Sequence, residues 1–97
     1  MKAIAFITEF SSSETTQWQL DKVMAAIAYD LDISIVFMHD GLSQLENNKA
    51  WCALEMYGVE NIYYLNFTDK LIKPLFKVKQ ITTITLKKLT SLAELIL

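Results

Sequence analysis

The 97 residues carry a formal net charge of −2, are 53% apolar, and include only two Gly and one Pro. They allow one compact domain, residues 1–97, with a modest core, and exclude a disordered or collagen-like chain. The longest apolar runs, such as Ile33–Met38 and Ala25–Ala28, fall far short of the roughly 18 residues that cross a bilayer. Met1-Lys2 leads into a strand-like run rather than a signal peptide. The single cysteine forbids an internal disulfide and fits a reduced, cytoplasmic setting.

Taken in chain order, Ala3-Ile4-Ala5-Phe6-Ile7 predicts a buried first strand. Ser11-Ser12-Ser13 follows as a loop, with Ser13 or Thr15 as a helix cap. The spacing from Trp18 to Leu31 predicts a helix. Leu20, Val23, Met24, Ile27, Ala28 and Leu31 make one apolar stripe at a 3.6-residue period. Trp18, Ala25 and Tyr29 form a second stripe nearly opposite, which is either a set of isolated surface aromatics, a face covered by a loop, or a subunit interface. Ile33–Met38, β-branched and apolar on both faces, reads as a central strand.

After a polar turn, Asn48–Tyr57 reads as a second helix. Asn47 or Asn48 is its cap, Ala50, Ala53, Leu54 and Tyr57 are its core stripe, and Gly58 is its stop. Asn61–Leu65 predicts a third strand, Asp69–Ile72 a helical turn capped by Thr68 and ended by Pro74, and Lys77–Ile81 a fourth strand. Thr85–Leu92 reads as a short helix and Glu94–Leu97 as a last strand. Strands alternating with helices predict an α/β fold, a three-layer α/β/α sandwich on a mostly parallel sheet of about five strands.

In such sheets the functional crevice lies at the carboxyl ends of the strands. Thr8-Glu9, His39-Asp40-Gly41 and Asn66-Phe67 fall there. His39 and Asp40 are an acid–base pair in principle, but neighbours on a strand point to opposite faces. The alternative is turn chemistry: an Asp40 carboxylate accepting backbone N–H bonds and a Gly41 at positive φ. Cys52, the only thiol, falls opposite the predicted core stripe beside Lys49, whose charge favours thiolate. It is either a reactive thiolate or a small residue at an interface or on a helix flank. No metal site of the usual ligand count, no cofactor loop and no Gly-x-Ser-x-Gly turn is present.

Charge is unevenly spread. Residues 1–67 hold three Lys against nine Asp or Glu, a balance of −6; residues 68–97 hold six Lys against two acids, a balance of +4. All basic residues are Lys, so no guanidinium fork grips phosphate, and direct nucleic-acid binding by this chain alone is not expected.

The segment Ile33-Ser34-Ile35-Val36-Phe37-Met38-His39-Asp40-Gly41-Leu42-Ser43-Gln44-Leu45 resembles the strand followed by Asp-Gly-x-x-Gln-Leu of the TusC/DsrF family, within the DsrE-like sulfur-relay proteins. The likeness extends back through Val23–Asp30 and forward through Ala53–Tyr63, nearly the whole chain. Departures are Ser11-Ser12-Ser13-Glu14, where members often carry Gly, and Lys70–Pro74, where they often carry Arg-Gly.

The resemblance implies a five-stranded α/β/α domain working beside DsrE/TusD-like and DsrH/TusB-like partners, commonly as a dimer of trimers. It also implies a role in passing persulfide sulfur toward 2-thiolation of the tRNA wobble uridine or, in the related system, in sulfur oxidation. The family's carrier cysteine ends the third strand of another subunit, whereas here Tyr63-Tyr64-Leu65-Asn66 holds no thiol. The expectation is therefore a non-carrier subunit without activity of its own, with Trp18, Tyr29 and Trp51 as interface residues. A stand-alone sulfurtransferase using Cys52 and a homo-oligomeric binding module are the alternatives.

Overall fold

The computed structural model describes residues 1–9, 13–68 and 70–97, with side chains for all of these except 13–16. The chain forms β1 (Lys2–Ile7), α1 (Ser13–Ala28), β2 (Asp32–Met38), a 3-10 turn (His39–Gly41), α2 (Leu42–Asn47), a second 3-10 turn (Lys49–Cys52), α3 (Ala53–Met56), β3 (Ile62–Leu65), β4 (Lys79–Gln80), α4 (Thr83–Leu92) and β5 (Leu95–Ile96). The five strands form one sheet in the order β4-β3-β2-β1-β5, and every pairing is parallel. This is the α/β architecture expected from the alternation of elements, compatible with a three-layer α/β/α sandwich.

The strand order assigns the layers. The steps from β1 to β2, β3 and β4 all run the same way across the sheet, so right-handed crossovers put α1, α2–α3 and the segment 70–78 on one face. The return from β4 to β5 carries α4 over the other. On the first face Ala5, Ile7, Ile33, Ile35, Phe37 and Ile62 pack with Val23, Leu45, Trp51, Leu54 and Phe76. On the second, Ile4, Val36, Leu65 and Ile81 pack with the half-buried Leu86, Leu89 and Ala93. Phe37 at the centre meets Trp51 edge-on at 5.3 Å and Phe76 at 5.9 Å.

α1 ends at Ala28, earlier than its apolar period suggests, because the chain turns left-handed. Asp30 has φ 60°, Asp30 N–H donates to the Ile27 carbonyl (2.9 Å), and Leu31 N–H donates to the Ala26 carbonyl (3.0 Å), a Schellman cap. Ala28 is exposed and Ala26 buried, so the inner stripe is turned slightly from the predicted one. Asp30→Gly should stabilise the fold by roughly 0.5–1 kcal/mol, because an L side chain is penalised in this conformation, and a shift of the urea midpoint will show it. The cap expected at Ser13 or Thr15 concerns side chains outside the described ones.

The predicted second helix is two short pieces. Asn48 caps the first, its Oδ1 accepting from Ala50 N–H at 3.0 Å. Because Lys49–Cys52 is 3-10, each residue turns about 120° rather than 100°, so Trp51 and Leu54 face inward while Ala50 and Tyr57 are exposed. Gly58 closes α3 as expected, at φ 76°. α2, read from the sequence as part of a polar turn, is an additional helix.

The helical turn expected before Pro74 is absent over the described residues 70–72; Asp69 lies outside them. Asn66 takes the backbone groups such a turn needs. Its Oδ1 accepts from Thr68 N–H (3.0 Å) and its Nδ2 donates to the Lys70 carbonyl (2.8 Å). The chain instead crosses the sheet as an irregular strap, pinned where Leu75 N–H donates to the Leu45 carbonyl (2.8 Å). β4 and β5 are shorter than predicted, and α4 begins two residues earlier, with Thr82 as its cap accepting from Thr85 N–H at 3.3 Å.

Candidate functional site

The carboxyl edge of the sheet brings together the ends of β1, β2 and β3, as the parallel topology requires. Its central feature is the 3-10 turn His39–Gly41, and the turn's conformation differs from the expectation. Gly41 lies at φ −66°, an ordinary helical value, while His39 takes the left-handed conformation at φ 54°.

Glycine is needed at position 41 for space. A Cβ there would stand 1.9 Å from the Ile7 carbonyl oxygen, so the turn lies directly against the end of β1. The unusual backbone sits one step earlier, on a residue with a side chain. The His39 ring stacks on Phe67 with centroids 5.5 Å apart and planes inclined by 17°, and both residues are exposed. This contact joins the end of β2 to the segment after β3.

His39 and Asp40 lie on a turn rather than a strand. Asp40 also fails the turn-chemistry expectation. Among the described residues its carboxylate accepts no hydrogen bond, and its carbonyl takes the Ser43 hydroxyl instead (2.9 Å).

Gln44 and Leu45, the rest of the motif, point inward and are buried. Gln44 is the hub of a satisfied polar network. Its Nε2 donates to the Glu9 carbonyl (2.8 Å) and Gln19 Oε1 (3.3 Å), and its Oε1 accepts from Trp51 Nε1 (2.8 Å) and Asn48 Nδ2 (3.3 Å). One amide thus links the chain after β1, the middle of α1, α2 and the 3-10 turn of Trp51. A buried amide costs stability unless its hydrogen bonds are made, and here they are. Asp-Gly-x-x-Gln-Leu is therefore largely architectural in this chain. Glycine allows close approach, glutamine ties three elements together, and leucine fills the core and anchors the strap.

Of the interface residues read from the sequence, Trp18 is 62% and Tyr29 81% exposed on the outer side of α1, with the Lys22 ammonium 4.1 Å from the Trp18 ring centroid. Trp51 is a correction. It is fully enclosed between Phe37 and Gln44 and offers no surface. The 3-10 geometry that turns it inward has no local signature in the residue pattern.

Cys52 is corrected as well. It does not face away from the core but packs half-buried against it, with Sγ 4.0 Å from the Leu75 carbonyl beneath the strap. No group of three His, Cys, Asp or Glu among the described residues is placed to hold a metal ion. Among the described residues, clefts lie at the amino ends of the strands, one of them lined by Glu55, Gly58, Glu60, Lys77 and Lys79, at the opposite end from the motif. No described helix is long and apolar enough to cross a membrane. Among protein families no model matches this chain, and a search of the curated proteins finds no match either.

Proposed function

We propose that this chain is a non-carrier subunit of a hetero-oligomeric sulfur-relay complex, similar in role to TusC/DsrF proteins, and that it supports persulfide transfer toward 2-thiolation of the tRNA wobble uridine in the cytoplasm. The observation that carries this reading is the thiol-free carboxyl edge. A persulfide relay needs an accessible thiolate. The segment that ends β3 is Leu65-Asn66-Phe67, and the one cysteine sits half-buried on the 3-10 turn Lys49–Cys52. The Asp-Gly-x-x-Gln-Leu resemblance and the exposed Trp18 and Tyr29 support a role in assembly. A sister chain of DsrE/TusD type then holds the reactive sulfur, and one of DsrH/TusB type completes the trimer, in a dimer of trimers.

Purification from the native host tests it. The expected result is recovery with two small subunits, one bearing a cysteine at the end of its third strand. A lone particle that turns over a sulfur donor unaided overturns it. After incubation with a sulfur donor, mass spectrometry should find no added sulfur on Cys52, and Cys52→Ala should leave relay through the complex unchanged. Trp18→Ser and Tyr29→Ser should each weaken assembly about tenfold or more while leaving the melting curve of the isolated chain in place.

A further inference from the structure

The second face of the sheet changes character at its amino end. The residues of β2 that share this face are Asp32, Ser34, Val36 and Met38, so the strand runs from polar to apolar along it. On β1, Lys2 stands in register with Asp32, and the buried Ile4 with Ser34. The last turn of α4 lies over this stretch, and a cleft of about 210 Å³ remains between helix and sheet. Leu89, Leu92 and Ala93 form its apolar wall. Half-buried Ser34, Asn61 and Tyr63 line it from the sheet, with the exposed Lys2 and Asp32 at its mouth.

Ser34 is the polar exception in the run Ile33–Met38. A hydroxyl in a central strand needs a hydrogen-bond partner or access to solvent. Among the described residues Ser34 Oγ has no partner, and no unpartnered side-chain oxygen is sealed from solvent, so this hydroxyl opens into the cleft. Beside it Tyr63 Oη donates to Asn61 Oδ1 (3.2 Å), and Asn61 Nδ2 has no acceptor among the described residues. Lys2 and Asp32 carry opposite charges on adjacent strands of one face, yet among the described residues they form no ion pair. One cleft thus gathers a cation, an anion, two free donors and an apolar wall.

We infer that this cleft binds a free α-amino acid with a small apolar side chain. The Asp32 carboxylate takes the ligand's ammonium group. The Lys2 ammonium, the Ser34 hydroxyl and Asn61 Nδ2 take its carboxylate, and its side chain lies against Leu89, Leu92 and Ala93. Charge selects a zwitterion: a lone anion is repelled by Asp32 and a lone cation by Lys2. Size selects a small one, because drug-sized ligands fill roughly 300–1,000 Å³. The site is independent of the sulfur-relay reading, and either can fail without the other.

Titration of the full chain with L-valine, followed through its backbone amides by NMR, tests the assignment. The shifts should saturate with a Kd of about 1 mM, since both ionic contacts are exposed to solvent, and should centre on Ser34, Asn61 and Leu89–Ala93. Isobutylamine and isovalerate, which are valine without its carboxylate and without its ammonium, should each bind about tenfold more weakly or worse. Ser34→Val places a strand-favouring residue in the cleft, should keep the fold, and should weaken valine binding about tenfold. Asp32→Asn and Lys2→Gln, both at exposed positions, should each weaken it about threefold or more.

Shifts that grow linearly with valine up to roughly 20 mM overturn the inference, as does saturation centred elsewhere on the chain. Saturable binding that none of the three substitutions weakens also overturns it. Isobutylamine or isovalerate binding as tightly as valine removes the case for a zwitterion and overturns it too.

Discussion

Gly41→Ala should cost the fold about 3 kcal/mol, far more than the usual penalty for placing alanine where glycine stood. The added methyl would lie 1.9 Å from the Ile7 carbonyl oxygen and 2.5 Å from its carbon, inside any permissible contact. The obstacle is backbone of β1, so no rotamer change can make room. Either the turn lifts away from β1, breaking the Gln44 bond to the Glu9 carbonyl, or the carboxyl end of β1 shifts in the sheet.

Gly58→Ala is the matched control. It has open space around it but a φ of 76°, and should cost about 1 kcal/mol from conformation alone. Urea unfolding of both variants measures the difference. A Gly41→Ala penalty no larger than that of Gly58→Ala would mean that the turn is not seated on β1.

Gln44→Leu is expected to cost about 3 kcal/mol even though leucine fills nearly the same volume. It removes four hydrogen-bond partners at once and leaves the Trp51 indole N–H buried with no acceptor. The Glu9 carbonyl and the Gln19 amide lose their link to α2, so the consequence reaches the carboxyl edge as well as the core. Trp51→Phe removes the indole donor and part of the buried ring and should cost about 2–3 kcal/mol, although Gln44 Oε1 keeps Asn48. If the two changes are combined, the penalty should be smaller than their sum, because the second removes a donor already orphaned by the first. Strictly additive penalties in that double-mutant cycle would show that the two side chains do not act as one network.

These expectations give the Asp-Gly-x-x-Gln-Leu segment a physical reason. Each of its inward residues solves a problem of assembly at the end of β2: how to bring the turn against β1, how to tie the chain after β1 to α2, and how to hold the strap. What remains outward is the His39–Phe67 stack and the exposed Asp40 carboxylate.

Much of this protein can be read along the chain. Short apolar runs and a 3.6-residue period place β1, α1, β2, β3 and α4 within a few residues, because the central strands bury both faces, α1 buries one stripe, and both patterns are local. Gly58 and Asn48 mark boundaries through their own backbone chemistry, and the exposure of Trp18 and Tyr29 follows from their angle on α1. Contacts between distant residues decided the rest. The need for glycine at 41 comes from Ile7, the enclosure of Trp51 from Phe37, and the packing of Cys52 from Leu75. None of these pairs is close enough in the chain to leave a periodic trace. Layer assignment belongs with them: the order β4-β3-β2-β1-β5 puts α4 on the face opposite α1, α2 and α3, because a crossover's side is set by which strands it joins.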